Sequence, residues 1–531
     1  MAEIKKEPCL VEARQGFYVV YQEKFLYSKY EPEKSILQKL EKMTFLPGTL
    51  VLVNSAVLDY GLKELCRKLP ESCAVILCEA DDELRDFEKE NRNLDFENDT
   101  EFKELYTVTK QEMYNLPVIL QKDLYIFENG KKCSFAGNFR RVLRIDFSAG
   151  VQFHSDFYSR LESACVNAIK QFWMHRFTLA KFGRKYSRNL FRNLHNLQDS
   201  VPLSKFIRSV SQPIFVFGSG ESAEDGINRI KQIYDSKSEK PFILCADTAF
   251  SMLKTNGIIP DGIVIDEAQS IIVPSFLGVL KFCGNKVTVF QSLCYVPCVA
   301  GKSFPKNQIS YYATDYSPGS FFENLKKSLF YPPVLQAFGS VGITAFILAY
   351  LFRKNENVPV NYYGLDFAFS AGKTHAKGTP SHQRQLKNLE RIKCLENFNA
   401  CFGDGAVINS ENEKYPYTTP ILKSYKETFN QVEEQADQIA FEIEKAYSEK
   451  EALDLAYADF FINERNALME LRNILSGNVV MSENKRYEKI TSLLENRQYL
   501  YLHFPDGYKF SMELNFLKRV RGEIDGFLKW V

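Results

Sequence analysis

Three short apolar runs constrain this chain more than any other feature of its sequence. They cover 214–217, 242–246 and 262–265, and each is followed at once by small or polar residues. The segments between them are long enough for helices. Short buried strands that alternate with helices are typical of a parallel α/β sheet, whose ligands bind beyond the carboxyl ends of the strands. The pattern therefore predicts an α/β protein with a ligand site at that edge of its central sheet.

The residues that follow these strands are suited to a nucleotide. The first strand ends in a glycine loop, 218–222, whose backbone amides can approach a phosphate closely. Acidic residues follow the second and third strands, and carboxylates at this edge can bind ribose hydroxyls or a base. A later predicted strand, 358–363, is followed by a glycine and an acid in the same way. The predicted nucleotide-binding residues are Gly218, Ser219, Gly220, Glu221, Ser222, Asp247, Thr248, Asp266, Gly364 and Asp366.

These residues also have structural interpretations. The loop lacks the Lys-Ser/Thr ending of a Walker motif and does not complete G-x-G-x-x-G, so it could be a tight turn. Asp247 could cap the helix that follows it. Glu221 would repel a phosphate unless its side chain points away. The two acids, Asp247 and Asp266, could also hold a divalent cation through their carboxylates.

One histidine lies in a setting that suits catalysis. His375 follows the 358–363 strand in a polar loop, where an imidazole can act as general base on an acceptor hydroxyl. His382 lies in the same loop and competes for that role. The alternative is a loop histidine without a catalytic function.

Composition narrows the class of protein. The formal net charge of +1 gives no reason to expect a nucleic-acid partner. The twelve cysteines include no C-x-x-C pair and no cluster at metal-ligand spacing, and several, such as Cys78 and Cys245, lie inside apolar runs. We therefore expect buried thiols in a reducing compartment and no metal site built on them. Without a signal core or a run of ~18 apolar residues that could span a membrane, the chain is predicted to be cytoplasmic.

A basic, aromatic stretch lies on a predicted helix before the central sheet. Its cations are Lys181, Arg184, Lys185, Arg188 and Arg192, and they are interleaved with aromatic residues. Such a stretch could contact phosphates or a partner, although it is more often a solvated helix face.

The order and spacing of these motifs resemble the motility-associated factor (Maf) glycosyltransferases of bacteria, whose central domain is shared with archaeal pterin diphosphokinases of the MptE type. The resemblance extends over about residues 170 to 385. The family's glycine loop usually reads Gly-x-Gly-Pro-Ser-Leu, whereas here Glu221 stands in place of proline and Ala223 in place of leucine. The matching segments are 188–193, 218–222, 246–249, 257–261 with Asp266, 364–367 and 374–376.

The resemblance implies an activity and a fold. The activity is transfer of a nonulosonic acid, such as pseudaminic or legionaminic acid, from a CMP-activated sugar donor to Ser or Thr hydroxyls of flagellin. The fold is a central Rossmann-like parallel sheet similar to that of bacterial sialyltransferases. In this scheme the loop amides would stabilise the phosphate and His375 would deprotonate the acceptor. Because Glu221 departs from the family pattern, it leaves open a changed donor or a weakened activity.

Two other functions remain open. An MptE-like pterin diphosphokinase would use the same loop on ATP with Mg²⁺, and Asp247 and Asp266 would then lie near the metal. A partner-binding protein without catalytic activity is the other, which Glu221 and the helical C-terminal part favour.

Three domains are expected along the chain. They are an N-terminal α/β domain (1–165), a central nucleotide-sugar-binding domain (166–415) and a C-terminal helical domain (416–531). The last rests on residues 424–475, which contain neither Pro nor Gly and predict one long helix or a pair. A short strand is predicted over 499–503.

The predicted N-terminal domain has a strand–helix–strand pattern similar to that of half a nucleotide-binding domain. Two predicted strands, 49–54 and 73–79, flank a predicted helix over 59–69, and the second strand ends in Glu79. The connecting loop lacks the glycines that close approach to a phosphate requires. We therefore expect a structural role for Glu79.

Overall fold

The computed structural model describes residues 7–70, 72–91, 106–108, 123–126, 131–134, 139–270, 272, 276, 278–297, 303–315, 332–387, 389, 391, 407–448, 457–507 and 510–531. Two compact units are formed, Met1–Thr178 and Leu179–Val531. The sequence predicted three domains, and a division into two compact units does not test the boundaries between them. The three-domain organisation therefore stays a prediction.

The first unit contains antiparallel strands and one parallel sheet. The antiparallel strands are β1 (Cys9–Glu12), β2 (Phe17–Tyr21) and β3 (Lys24–Phe25). The parallel sheet and a separate hairpin use β4 (Thr49–Asn54), β5 (Ala74–Cys78), β6 (Tyr106–Val108), β7 (Asp123–Ile126), β8 (Lys131–Ser134) and β9 (Arg141–Asp146). The parallel order is β6-β5-β4-β9, and β7 pairs with β8. The helices are α1 (Lys34–Glu41), α2 (Leu62–Lys68) and α3 (Asp82–Asn91), followed by α4 (Ser155–Leu194), which continues into the second unit.

Glu79 has the structural role expected from the sequence. It lies at the end of β5, is 2% exposed, and accepts hydrogen bonds from the Tyr158 hydroxyl and the Asp81 amide at 3.0 Å each. Burial raises the pKa of Glu79, although these donors oppose the shift. One oxygen of the carboxyl group, Oε1, therefore accepts both of these hydrogen bonds inside the protein.

The central sheet of the second unit has seven strands, and every neighbouring pair is parallel. In chain order they are β10 (Ile214–Phe217), β11 (Phe242–Ala246), β12 (Gly262–Ile265), β13 (Thr288–Ser292), β14 (Ile309–Asp315), β15 (Val334–Gln336) and β16 (Val360–Tyr363). The order across the sheet is β15-β14-β13-β12-β11-β10-β16. The predicted parallel α/β class is confirmed, and the three apolar runs that predicted it form β10, β11 and β12 with unchanged bounds.

Two cores form around this sheet because neighbouring residues of a buried strand point to opposite faces. Phe215 and Phe217 contribute to one core with α4 and the last three helices, whereas Ile214 and Val216 contribute to the other. The helices of the second unit are α5 (Ala223–Asp235), α6 (Asp247–Thr255), α7 (Val279–Cys283), α8 (Val341–Phe352), α9 (Pro380–Lys387), α10 (Pro420–Glu434), α11 (Ala436–Ser448), α12 (Tyr457–Leu475), α13 (Glu483–Glu495) and α14 (Leu514–Phe527). A two-stranded ladder of β17 (Ile408–Asn409) and β18 (Tyr417–Thr418) precedes α10.

The helix α8 is apolar on all sides because it is enclosed. It packs on β10 and β11 and against α11, and ten of its twelve residues are buried. At 1.5 Å per residue it is ~18 Å long. None of the helices in the described part of the chain combines the length and the apolar character that crossing a bilayer requires.

The C-terminal part is helical, as expected, but in a different arrangement. Three helices, α10, α11 and α12, lie in the segment for which one long helix or a pair was predicted. Residues 449–456 of this segment are outside the described chain. The predicted strand over 499–503 is wrong, since a short 3-10 helix occupies Gln498–Leu500. Tyr499 and Leu500 are consecutive and both fully buried, which the alternation of a half-buried strand does not allow.

Candidate functional site

Most of the predicted nucleotide-binding residues lie at one edge of the central sheet. The glycine loop follows β10, Asp247 and Asp266 follow β11 and β12, and the Gly364–Asp366 loop follows β16. The chain order also reverses here, because β11 lies on one side of β10 and β16 on the other. Such a switch point is where open α/β sheets bind ligands.

The glycine loop is held by the loop after β16. The Gly218 amide donates to the Tyr363 carbonyl at 2.7 Å, and the Gly220 amide donates to the Gly364 carbonyl at 2.9 Å. The Ser222 amide donates to Asp366 Oδ2 at 2.9 Å, and the Gly364 amide donates to Ser222 Oγ at 2.7 Å. Three of the loop amides are therefore bonded within the protein.

The same contacts explain why glycine is required here. A Cβ on Gly218 would overlap the Gly364 carbonyl oxygen, and a Cβ on Gly220 would overlap the Asp366 carboxylate. Gly364 itself has a φ of +75°, which L-residues rarely adopt. The sequence indicated that these glycines make room for a phosphate, whereas the structure shows that they make room for a second loop. Phosphate contact stays a prediction, and the amides of Ser219 and Glu221 are those that make no bond to the described chain.

Glu221 points away from the loop amides. Its carboxylate lies 3.1 Å from the Lys373 ammonium and accepts a hydrogen bond from the Ser370 amide at 3.1 Å. Glu224 binds the same ammonium, also at 3.1 Å. Burial lowers the pKa of Lys373, but the two carboxylates outweigh it and the pKa is raised. The side chain that departs from the usual motif thus contributes to holding the next loop in place.

The two strand-end acids differ in their surroundings. Asp247 is 2% exposed, and its Oδ1 accepts from the Thr248 amide at 2.6 Å. Burial, reinforced by the charges of Asp266 and Glu267 and opposed by that amide, raises the pKa of Asp247 to about 8. The α6 helix begins at Asp247, so its N-cap residue is Ala246, and no side chain caps the helix. The capping role considered for Asp247 is therefore wrong, whereas its place at the ligand edge agrees with the prediction.

Asp266 is bound by two hydroxyls that the sequence did not indicate. Tyr312 on β14 donates to its Oδ1, and Thr344 on α8 donates to its Oδ2 at 2.6 Å. Burial raises the pKa of Asp266 to about 6 against these two hydroxyls, which lower it. Tyr312 was missed because its strand was not predicted. Thr344 was missed because it lies inside an apolar helix.

The sequence left open a divalent cation held by Asp247 and Asp266, and such a cation stays a prediction. Mg²⁺ is usually bound through carboxylates that are ionised and accessible. Both oxygens of Asp266 accept hydroxyl hydrogens, and Oδ1 of Asp247 accepts from the Thr248 amide. In the described part of the chain, no group of three or more His, Cys, Asp or Glu side chains could hold a metal ion.

The loop that carries His375, residues 370–379, lies on the glycine loop and is called the histidine loop below. The Ala376 amide donates to the Ser219 carbonyl at 3.0 Å. From α6, Ser251 Oγ donates to the Gly378 carbonyl at 2.7 Å. The backbone next to His375 is therefore held against Ser219, the residue whose amide remains open. His375 and the predicted phosphate loop are brought together.

His375 is suited to act as a neutral base. Burial is the main cause that lowers its pKa, and the positive charges of Arg384 and His382 add to it. Nδ1 lies 3.1 Å from Thr374 Oγ1, which also accepts from Gln385 Nε2 at 2.8 Å. If Nδ1 carries the hydrogen and donates to Thr374, Nε2 is left with a lone pair for an acceptor hydroxyl. Burial also lowers the pKa of His382, whose Nδ1 is buried and makes no hydrogen bond.

Two asparagines fix the basic stretch of α4 against the same edge. Asn189 Nδ2 donates to the carbonyls of Ala268 and Cys294 at 3.2 Å each. Asn193 Nδ2 donates to the carbonyls of Leu293 and Tyr295 at 2.8 and 2.9 Å. The two side chains therefore bind α4 to the loops after β12 and β13.

The whole chain resembles a known transferase structure. A structure described as a Maf glycosyltransferase from Magnetospirillum magneticum AMB-1 matches it with a TM-score of 0.51 and 13% sequence identity, covering 99% of this chain and 91% of that one. The chain has the fold of a Maf glycosyltransferase. Residues 188–372 also match the model of the family described as 6-hydroxymethylpterin diphosphokinase MptE-like. The resemblance to the Maf family with an MptE-like central domain, which the motifs predicted, is thus confirmed.

Relatives by sequence occur in Treponema pallidum (strain Nichols). An uncharacterised protein of that organism is 26% identical to this chain, covering 98% of the chain and 94% of the relative. A second uncharacterised protein of the same strain is 31% identical over 104 residues, which is 20% of this chain and 47% of that protein. The similarity to the first of these relatives extends well beyond the MptE-like segment, over 98% of this chain.

Proposed function

We propose that this protein is a glycosyltransferase that moves a nonulosonic acid, such as pseudaminic or legionaminic acid, from a CMP-sugar to Ser or Thr hydroxyls of flagellin. The observation that carries the proposal is the bond between the Ala376 amide and the Ser219 carbonyl. This bond supports the proposal because Ala376 follows His375, whose pKa is lowered by burial, and Ser219 belongs to the loop after the first strand of the sheet, in a chain with the fold of a Maf glycosyltransferase. A base and a phosphate site at one edge are what the transfer requires.

Each part of the site has a separate task. The open amides of Ser219 and Glu221 stabilise the cytidylate phosphate as it leaves with the electrons of the glycosidic bond. His375 Nε2 removes the proton from the acceptor hydroxyl, whose oxygen forms the new bond to the anomeric carbon. Asp247, protonated at neutral pH, donates to the ribose or base. Each oxygen of Asp266 keeps a lone pair besides the one that accepts from Tyr312 or Thr344, and Asp266 accepts from the ribose or base through these.

We also propose that the protein works in the cytoplasm, on its acceptor before export. The structure describes the side chains of eight cysteines, and none of these eight forms a disulfide. Burial raises the pKa of Cys78 and of Cys245, so both are protonated and unreactive. Such thiols suit a reducing compartment.

The direct test is transfer in vitro. Flagellin from the same organism is incubated with the protein and with CMP-pseudaminic or CMP-legionaminic acid, and its intact mass is measured. The expected result is an added mass of one sugar residue per modified hydroxyl, together with release of CMP. An unchanged flagellin mass with both donors, while thermal shift shows that CMP binds, would contradict the acceptor or the sugar but not the nucleotide site.

The MptE-like match over residues 188–372 supports one alternative, a pterin diphosphokinase. It would need Mg²⁺ with ATP, and Asp247 and Asp266 would then be the carboxylates near the ion. Incubation with ATP, Mg²⁺ and 6-hydroxymethylpterin separates the two activities. Formation of a pterin diphosphate would replace the transferase proposal.

A further inference from the structure

A cleft of about 860 Å³ in the second unit is lined by cations of α4. We call it the cationic cleft, and four of the α4 cations that line it are Lys181, Lys185, Arg188 and Arg192. Its other walls come from the segments after β12 and β13 and from the C-terminal residues around α14. The cleft therefore lies beside the carboxyl edge of the central sheet, next to the chain that follows Asp266.

The charge of these four cations is not balanced within the described chain. Two further arginines of the cleft do have acidic partners, since Arg184 binds Glu523 and Arg519 binds Asp506 through both its terminal nitrogens. By contrast, the four α4 cations form no ion pair with any carboxylate that the structure describes. Arg192 instead stacks on the Trp530 ring, 5.1 Å from its centroid. The cleft thus presents a net positive surface to a ligand.

The spacing of the cations indicates an extended ligand. They follow one another after four, three and four residues, so they share one helix face in steps of ~5–6 Å and span ~16 Å in all. We call this row of four cations the stripe. An extended polypeptide presents alternate side chains to the same side every ~7 Å. Acidic residues at alternate positions of such a segment match the stripe, whereas the charges of one small anion would meet only part of it.

The stripe is also rigid before any ligand arrives. Asn189 and Asn193 lie on the flank of α4 next to these cations and bind four backbone carbonyls of the neighbouring loops. A surface that is already ordered loses less entropy on binding. This distinguishes the stripe from an ordinary solvated helix face.

We propose that the cationic cleft binds an acidic, extended segment of the acceptor polypeptide. The proposal rests on the proposed function, because it assigns the acceptor to this side of the sheet edge. Electrostatic attraction would then bring the acceptor to the site and fix its direction, while the histidine loop performs the chemistry.

The test measures binding of a fluorescein-labelled peptide with glutamate at alternate positions and serine between. A peptide with glutamine in place of glutamate serves as the ligand control. The acidic peptide is expected to bind, more weakly as salt rises from 50 to 300 mM, and the glutamine peptide is expected not to bind. The double substitution Arg188→Gln with Arg192→Gln should weaken binding by about tenfold. The matched control, Lys485→Gln with Arg486→Gln, removes two exposed cations of α13 outside the cleft and should leave binding unchanged.

Several results would overturn the proposal. These are equal losses in both double variants, no loss in either, or equal binding of the glutamine peptide. Loss of CMP affinity in the Arg188 and Arg192 variant would assign the cleft to the donor instead. A single-stranded oligonucleotide that binds more tightly than the peptide would assign it to nucleic acid. Should that variant fail to fold, Lys181→Gln with Lys185→Gln probes the preceding turns of the same stripe.

A transfer assay connects the cleft to the reaction. In the Arg188 and Arg192 variant the KM for the acceptor protein should rise by about tenfold while kcat is unchanged, because the lost contact is uniform binding. A fall in kcat at unchanged KM would contradict acceptor docking. If the wild-type protein transfers no sugar, the proposed function fails, whereas the peptide measurement still decides whether the cleft binds acidic chains.

Discussion

The Ala376 amide and the Ser219 carbonyl oxygen are joined by a hydrogen bond of 3.0 Å. Ser219 belongs to the loop after the first strand of the sheet, and Ala376 to the loop after the last. The bond therefore joins the chain after β10 to the chain after β16, at the point where the strand order reverses. His375 precedes Ala376, so its backbone is close to the edge at which a nucleotide is expected.

Substitution of Gly220 should destabilise the protein. In Gly220→Ala the new Cβ overlaps the Asp366 carboxylate and approaches the Gly364 carbonyl, so the two loops must separate at a cost of about 1–3 kcal/mol. Urea unfolding measures the change. The matched control is Gly522→Ala on α14, where a Cβ meets nothing within 4 Å and should stabilise the helix by about 0.5–1 kcal/mol. Equal stabilities of wild type and Gly220→Ala would show that the loops do not pack in this way.

Asp247 should make stability depend on pH. Because the pKa of Asp247 is raised to about 8 in the folded protein, the native state holds a proton that the unfolded chain releases above pH ~4. Stability from this group is therefore present at low pH and is lost as pH rises towards 8. Asp247→Asn removes the titration and keeps an oxygen that accepts from the Thr248 amide.

The expected outcome is that the gain in Tm of Asp247→Asn over wild type is larger at pH 8 than at pH 5. Thermal unfolding in matched ionic strength measures it. A gain that is constant with pH would mean that this carboxyl group is ionised in the folded protein throughout the range.

The sequence predicted the strands around the site better than the interactions inside it. Apolar runs that end abruptly at Gly218, Asp247 and Asp266 gave three strands and their shared edge, because burial on both faces leaves a continuous signal. Interactions between distant segments leave no such signal. Nothing local to Gly220 indicates that Asp366 lies against it, and nothing local to Thr344 indicates that it binds Asp266.

Two predictions failed, a strand that does not form over 499–503 and a strand around Tyr312 that was not predicted. In both segments the local composition does not decide the structure. Residues 499–503 have strand-forming composition, but Tyr499 packs between Phe191 and Phe527, at ring distances of 4.8 Å each, and tertiary contacts override the local preference. Tyr312 belongs to a strand of mixed polar and apolar residues that was not predicted. The hydroxyl that binds Asp266 was therefore absent from the predicted site.

Activity should persist at lower pH than an ordinary histidine base would allow. The pKa of His375 is lowered, and a general base works in its neutral form, so the acid limb of kcat/KM should lie below pH 6.5. Arg384→Gln removes a positive charge that favours the neutral form and should move this limb to higher pH. Lys387→Gln, on the same helix, is the control. A limb that does not move with Arg384→Gln would argue against His375 as the titrating group.

The most direct test of the account is the turnover of His375→Ala with CMP-sugar and flagellin. A positioned base contributes ~10²–10⁴-fold in rate, so kcat should fall by about that factor while CMP affinity remains nearly unchanged. His382→Ala, which removes the other histidine beside the site, should retain most of the activity. A large loss in His382→Ala with little loss in His375→Ala would transfer the role to His382. Full turnover in both variants would contradict base catalysis by the histidine loop.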